Sequence, residues 1–316
     1  MNTQNNSAKY AFFYMLSLVA LIFMAWSAGM IIFQIINKFI IDIINQYRGS
    51  YSPDQLKYAI SALIISSPIF YLTSRQIYKN LFSGTLDKNS GIRKWLTYFI
   101  LFVSSVVALG WLIATVNSFL DGELTTKFIL KSITAIGISA AIFTFYLYDI
   151  KRDEVAGKKD KMIQIYFYGS LIFVIATFTA SLFIVESPQA TRDRKYDNTI
   201  LEKFENIDGA INTYYNDYGK LPISLDELKS DFSYLTEENL ANPVTKEKFE
   251  YKILEDDKYE LCTVFRTSNK DDDARESFNK DRWTHEAGKQ CLSQKVREFD
   301  DVRVKSLVPR EAMPVD

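Results

Sequence analysis

The first 185 residues contain five long apolar stretches that polar or charged connections separate. The last stretch, residues 163–185, has no charged residue. As a helix it would reach about 34 Å, more than the roughly 30 Å hydrocarbon core of a bilayer. Apolar stretches of this length predict membrane-spanning helices. The predicted spans are residues 10–33, 58–78, 95–119, 128–148 and 163–185.

The first predicted span has an apolar face that continues through Ile44, although Lys38 and Asp42 interrupt the other faces. We therefore expect its helix to extend beyond the bilayer. Residues 1–9 are polar and are expected to form a cytoplasmic tail. A cleaved signal peptide is the alternative, with a small-residue site at 25–29. The apolar run is long for a signal peptide, and Lys9 is the only basic residue before it.

After residue 189 the chain changes to the patterns of a water-soluble α+β domain. Apolar residues recur every three or four positions from Ile200 to Tyr218, which predicts a helix over residues 194–218. Gly219 is expected to end this helix, because glycine adopts the left-handed conformation readily. The remaining predicted elements are a short helix at 225–229, two hairpin strands at 249–253 and 259–265, and a last strand at 283–292.

Charge is unevenly distributed along the chain. Residues 1–189 hold 16 Lys and Arg against 10 Asp and Glu, whereas residues 190–316 hold 21 against 28. The basic residues of the first part concentrate in two alternate connections, and the positive-inside rule places such connections in the cytoplasm. These residues are Arg75, Lys79, Lys88, Arg93 and Lys94 in one connection, and Lys151, Arg152, Lys158, Lys159 and Lys161 in the other.

The orientation defines the expected architecture. With five spans, the N-terminus lies on the cytoplasmic side of the membrane, and the part after span five lies on the extracytoplasmic side. The predicted fold class is an α-helical polytopic membrane domain with five transmembrane helices plus a small extracytoplasmic α+β domain. The expected segments are 1–9 (cytoplasmic tail), 10–155 (four-helix membrane domain), 156–189 (fifth transmembrane helix and linker), 190–298 (extracytoplasmic domain) and 299–316 (flexible C-terminal tail).

Residues 10–155 resemble a family of bacterial and archaeal integral-membrane domains that has four predicted helices and no assigned function. The resemblance rests on the four spans, on YLTSRQIYKN at 71–80 and on YLYDIKRDE at 146–154. It implies a membrane location and lends no activity to the chain.

The C-terminal part resembles the globular domain of type II secretion major pseudopilins. The segments INTYYNDYGKLP at 211–222, NPVTKEKFEY at 242–251 and KYELC at 258–262 carry this resemblance. The family implies a pilin-like fold, in which a long helix packs on a small antiparallel sheet. Span five lacks the basic leader and the early glutamate of a pseudopilin. We therefore expect a pilin-like domain that stays attached to its membrane anchor.

Cys262 and Cys291 are the only cysteines in the sequence. We favour a disulfide bond between them, because cysteines outside the cytoplasm meet an oxidising environment. Two free thiols are one alternative, and a catalytic pair of a cysteine with His285 is another. Because His285 is the only histidine, a histidine-rich metal site is not expected.

Two further motifs each allow two interpretations. Trp283, His285 and Glu286 form either a partner-binding surface patch or a tight turn that places the tryptophan over the sheet. The acidic run Asp271, Asp272 and Asp273 suggests Ca²⁺, because major pseudopilins bind Ca²⁺ in a late loop. The spacing of an EF-hand loop is absent, however, which favours a solvated acidic loop and no metal site.

The sequence shows no nucleophile–base pair and no cluster of metal ligands, so we expect no catalytic residue, no enzyme activity and no cofactor. The acidic outer domain argues against nucleic acid as a partner. We expect a cell-envelope scaffold or binding module, with the lipid bilayer and envelope, secretion or pilus-like proteins as partners. A small permease or transporter subunit, with the outer domain as its receptor or gate, is the alternative. Small residues recur in the spans, and we favour close helix packing for them over a substrate path lined by serine and threonine. They include Gly29, Ser104, Ser105, Gly110, Gly137, Ser139, Gly169 and Ser170.

Overall fold

The computed structural model describes residues 3–40, 50–87, 90–152, 157, 160–270 and 282–297. Two compact units make up the chain: a helical unit, Met1–Val185, and a C-terminal unit, Glu186–Asp316. Each unit has its own cluster of buried apolar side chains. The predicted tail at residues 299–316 lies outside the described residues.

Within the described ranges, the helical unit has five helices that are long and apolar enough to cross a membrane, as predicted. Ser52 caps the second helix by accepting a hydrogen bond from the backbone N–H of Gln55. Pro53 follows at the first helical position, where its missing N–H costs nothing. The helices are α1 (Thr3–Phe39), α2 (Pro53–Phe82), α3 (Gly91–Leu120), α4 (Thr126–Lys151) and α5 (Lys161–Leu182).

The first helix is longer than its predicted span. It begins at Thr3, so residues 3–9 of the expected cytoplasmic tail are helical and continue into the first span. No glycine or proline separates Thr3 from the apolar run, and an existing helix adds residues at little cost. At its other end α1 continues past residue 33 to Phe39, as the continued apolar face indicates.

Successive helices of this unit run in opposite directions. The N–H of Gly157, between α4 and α5, donates to the carbonyl of Phe82 at the end of α2, at 3.0 Å. At the opposite end, Lys38 Nζ and the Tyr51 hydroxyl donate to the carbonyl of Ile184, at 3.3 and 3.4 Å. The α2–α3 and α4–α5 connections therefore share one end of the unit, which we call the basic end.

The C-terminal unit combines two helices with an antiparallel three-stranded sheet in the order β1-β2-β3. The hairpin between β1 and β2 lies where the sequence predicts it, with a turn at Asp256 and Asp257. The elements are α6 (Pro188–Tyr218), α7 (Leu225–Asp231), β1 (Glu250–Glu255), β2 (Lys258–Phe265) and β3 (Gly288–Lys295).

The long helix α6 begins at Pro188, earlier than the predicted start at residue 194. Pro188 occupies the first helical position, which favours proline, and the Ser187 hydroxyl accepts a hydrogen bond from the N–H of Ala190 at 3.1 Å. The proline therefore starts this helix in addition to ending the stretch before it. Gly219 ends α6 as predicted, with a positive φ of 69°.

The apolar stripe of α6 forms the core of the C-terminal unit. Ile200, Phe204 and Ile207 are at most 1 % exposed. The Phe204 ring lies 4.9 Å from the ring of Phe249 and 5.5 Å from the ring of Trp283. The helix thus covers one face of the sheet, as the periodicity of its apolar residues predicts.

The last strand begins at Gly288, so its predicted start at residue 283 is wrong. Trp283 and His285 lie in the preceding loop, and each is 2 % exposed. Their side chains pack on Phe204 and Phe265, respectively. Alternate burial of loop residues therefore reproduces the alternating pattern of a strand without the hydrogen bonds of a strand.

A buried ion pair joins α6 to the loop before β3. The Arg282 guanidinium donates two hydrogen bonds to the carboxylate of Asp208, at 2.8 and 2.9 Å. The Tyr259 hydroxyl donates to the same carboxylate. Burial and the adjacent charge of Asp208 raise the pKa of Tyr259 well above its usual value, so this hydroxyl stays protonated. Asp208 is 6 % exposed, and the hydrogen bonds from these partners offset the cost of burying its carboxylate.

The substitution Arg282→Met tests this pair. We expect it to lower the free energy of unfolding of the C-terminal unit by about 3 kcal/mol or more, because a buried carboxylate would lose its cation. Pulse proteolysis of the purified full chain in urea measures the effect. Lys289→Met is the matched control, since it removes an exposed cation that pairs with Glu250, and we expect less than about 1 kcal/mol. Equal losses in the two variants would contradict the prediction.

Cys262 and Cys291 form a disulfide, as predicted. The two residues face each other in β2 and β3, next to the pair Leu261 and Leu292. Because side chains alternate along a strand and both leucines are buried in the core under α6, the disulfide lies on the opposite face of the sheet. Leucine packing therefore fixes the pairing of β2 with β3 independently of the disulfide.

We expect the variant with Cys262→Ser and Cys291→Ser to fold, with a free energy of unfolding lower by about 3 kcal/mol in the chain-entropy model of a loop of this length. Urea unfolding of the full chain with and without a reductant provides the measurement. The reductant should destabilise the natural chain and leave the double variant unchanged. A reductant effect of equal size in both chains would contradict a role for this disulfide.

Candidate functional site

Two arginines and two carboxylates meet at the basic end of the helical unit. Arg93 is 3 % exposed and donates to the carboxylate and to the carbonyl of Asp149, at 2.7 and 2.9 Å. Arg152 donates to the other carboxylate oxygen of Asp149 and lies 3.7 Å from Asp160. The Tyr148 hydroxyl donates to Asp160 at 2.9 Å. This network links the starts of α3 and α5 to the end of α4.

Hydrogen-bond donors and a nearby cation of the network stabilise the negative charge of Asp160. Desolvation opposes its ionisation, but the hydrogen bonds from Tyr148 and from backbone N–H groups and the nearby Arg152 hold the pKa of the Asp160 carboxyl below its usual value. The carboxylate is therefore ionised at neutral pH, and it neutralises part of the arginine charge. The network fixes three helix ends without a large net charge.

From the sequence, Arg93 and Arg152 are loop charges that set the orientation, and their burial is not evident. One signal was present: Asp149 precedes Arg152 by three residues, a spacing that brings side chains together on a helix. The burial of Arg93 depends on how α3 packs against α4, and this packing has no local signature in the sequence.

A cavity of about 1170 Å³ lies between α1, α2, α4 and α5, and most of its lining is apolar or aromatic. Two contacts hold α5 at the cavity wall. The Tyr71 hydroxyl of α2 donates to the hydroxyl of Ser170 at 3.1 Å, and the rings of Phe145 and Tyr166 lie 5.4 Å apart. These contacts bound a space that no side chain fills.

Small residues leave this space open. A Cβ at Gly137 or Gly169 would meet no atom within 4 Å, and both positions line the cavity. At Gly29, by contrast, a Cβ would lie 3.6 Å from Cδ1 of Ile138, so this glycine packs against α4. Gly137 and Gly169 thus border the cavity, and a solute path through it stays a prediction.

Arg75 and Lys79 line the cavity where it approaches the basic end. Both side chains are exposed, and neither has an acceptor among the residues that the structure describes. Asp160 lines the same end, where its carboxylate accepts a hydrogen bond from Tyr148. The cavity therefore has a long apolar body. At one end it has two positively charged side chains that form no ion pair with the described residues.

In the C-terminal unit, the ring of His285 stacks on Phe265 with the centroids 3.8 Å apart. Trp283 packs on α6, and Glu286 is exposed and pairs with Lys270. Glu286 is the exposed member of the proposed patch of Trp283, His285 and Glu286, and the patch stays a prediction.

Potential metal ligands come together at one place in the described part of the C-terminal unit. Asp271, Asp272 and Asp273 lie outside the described residues. Potential ligand atoms of Glu260, Cys262 and Cys291 lie within 4.8 Å of one another. The two sulfur atoms are bonded to each other, so neither is a thiolate that could hold an ion.

Comparison with known proteins finds a match within the helical unit. The family model described as Domain of unknown function (DUF5671) matches residues 10–147. The match extends from α1 into α4 and ends before α5 and the C-terminal unit. No curated protein and no solved structure matches the chain. The resemblance to a domain family of unknown function is thus confirmed for residues 10–147, and the resemblance to pseudopilins stays a prediction.

Proposed function

We propose that this chain is a multi-pass protein of the cytoplasmic membrane that displays its C-terminal unit on the extracytoplasmic side as a non-enzymatic binding module. The arrangement of the basic end carries the proposal. Both basic connections belong to this end, and the positive-inside rule assigns such an end to the cytoplasm. Because α5 begins there, its far end at Leu182 lies on the other side of the bilayer.

The composition of the C-terminal unit supports an extracytoplasmic place. Its two cysteines form an internal disulfide, which suits an oxidising compartment. The 31-residue helix α6 packs on a three-stranded antiparallel sheet, which is the arrangement that the pseudopilin family implies. From this likeness we infer a pilin-like fold and an association with an envelope scaffold or a secretion or pilus-like apparatus.

Charge and exposed apolar groups indicate the kind of partner. The acidic excess of residues 190–316 favours a partner with a basic surface and disfavours nucleic acid. Ile223 and Tyr234, on either side of α7, are 81 % and 51 % exposed. Apolar side chains of this size add affinity when a partner covers them.

A small permease subunit is the second candidate function, and the cavity of the helical unit favours it. For transport, the cavity would have to open at the end opposite the basic end. There the hydrogen bonds from Lys38 and Tyr51 to Ile184 tie α1 and α2 to the end of α5. A transport cycle would have to break these bonds, whereas a scaffold keeps them.

Two single-cysteine variants test the orientation in intact cells. Both start from a chain in which Cys262 and Cys291 are replaced by serine. Ile223→Cys introduces a thiol in the C-terminal unit, and Lys94→Cys introduces a thiol at the basic end. We expect a membrane-impermeant maleimide to label the first variant in intact cells and the second only after lysis, because the reagent does not cross the bilayer.

The reverse labelling pattern would place the C-terminal unit in the cytoplasm and contradict the proposal. Co-purification of the cross-linked chain with pilus or secretion components supports the scaffold function. Solute flux into liposomes that contain the purified chain, lost when Tyr51 is cross-linked to α5, would favour the permease instead.

A further inference from the structure

We propose that the cavity of the helical unit is a binding site for one anionic phospholipid. The acyl chains lie in the apolar body of the cavity, and the phosphate of the headgroup lies between Arg75 and Lys79. This inference goes beyond the display of the C-terminal unit, and it holds whichever side of the membrane that unit occupies.

The depth of the cavity matches one leaflet of a bilayer. Its lining on α5 runs from Ile163 to Val174, which spans roughly 17 Å at 1.5 Å per residue. Half of a hydrocarbon core of about 30 Å is about 15 Å. A lipid whose headgroup lies at the basic end therefore has room for its chains to reach the middle of the membrane.

The lining also has the chemistry of a lipid site. Its walls are apolar and aromatic, and at 1170 Å³ the cavity exceeds the roughly 300–1,000 Å³ of ordinary small-molecule sites. Ile165 and Phe173 of α5 line it and are 62 % and 42 % exposed, so it opens on a surface that the span presents to lipid. A polar solute would find few hydrogen-bond partners in this body, whereas acyl chains need none.

The charge at the basic end selects an anionic headgroup. Arg75 and Lys79 are four residues apart and therefore lie on the same face of α2. Neither has an acceptor among the described residues, and long basic side chains near a helix end reach the membrane interface. The nearby carboxylate of Asp160 accepts from Tyr148 and lies close to Arg152, so these groups offset its charge. A phosphate group at this end of the cavity would therefore lie beside two cations that have no acceptor among the described residues.

Lipid binding to the delipidated full chain in a neutral detergent tests the inference. Dioleoyl phosphatidylglycerol and dioleoyl phosphatidylcholine have the same acyl chains and differ in net charge. We expect native mass spectrometry to show one tightly bound phosphatidylglycerol, with a thermal midpoint that rises to saturation. The variant with Arg75→Gln and Lys79→Gln should weaken phosphatidylglycerol binding about 10-fold or more and change phosphatidylcholine binding little, because only the former has net charge.

Matched variants separate the site from general effects. Lys94→Gln with Lys151→Gln removes two exposed cations at the same end that do not line the cavity, and it should leave binding unchanged. Gly137→Leu places a side chain in the cavity and should abolish binding of both lipids. Gly110→Leu, which introduces the same side chain in open space on α3 outside the cavity, should not.

Three outcomes would overturn the proposal. The first is equal binding of the two lipids by the natural chain. The second is an equal loss of binding in the Lys94 and Lys151 variant, which would mean that charge acts without a site. The third is saturable binding of glycerol phosphate alone at the same affinity, which would assign the cations to a free phosphate and leave the apolar body without a role.

Discussion

Hydrocarbon offers no hydrogen-bond partner to a peptide group, so a chain that crosses a bilayer must satisfy its backbone internally. Five helices of 22 to 37 residues meet this constraint here. Some polar side chains within them follow the same rule: the hydroxyls of Thr73 and Thr144 donate to carbonyls one turn earlier in their own helices. The buried hydroxyls of Ser27, Ser66 and Ser67 have no such partner. Charged groups occur at helix ends, where Arg93 and Arg152 share the carboxylate of Asp149. A hydrogen-bonded backbone is therefore a condition for the whole helical unit.

The C-terminal unit depends on a different constraint, because water can solvate its backbone but not its apolar side chains. One stripe of α6 contributes Ile200, Phe204, Ile207, Ile211 and Tyr214 to the core, and the sheet can bury them on one face alone. The Asp208–Arg282 pair and the disulfide then act on different parts of this arrangement. The ion pair fixes the loop before β3 against α6, and the disulfide joins β2 to β3 on the face away from α6.

The cavity connects the packing of the helical unit to its environment. Close-packed protein interiors tolerate few large voids, and the space of about 1170 Å³ between these helices opens instead at Ile165 and Phe173, where lipid can enter it. Glycines at 137 and 169 keep it open, and the Tyr71–Ser170 hydrogen bond holds α5 in place beside it. A bound lipid would fill the space beside α5 and would restrict the motion of this helix, which precedes the C-terminal unit.

The sequence by itself determined the five apolar helices, the α6 stripe, the β1–β2 hairpin and the cysteine pair. Each of these has a local signal: a long run without charge, a period near 3.6, an alternation around a turn, or two lone cysteines. Local signals misled at the start of α6 and at Trp283, because the apolar stripe begins after the helix does and a buried loop can alternate like a strand. Only the tertiary structure decided that Arg93 is buried, and that Gly29 packs against α4 whereas Gly137 borders empty space. Both depend on the distance between helices that are far apart in sequence, and no spacing along one helix encodes that distance.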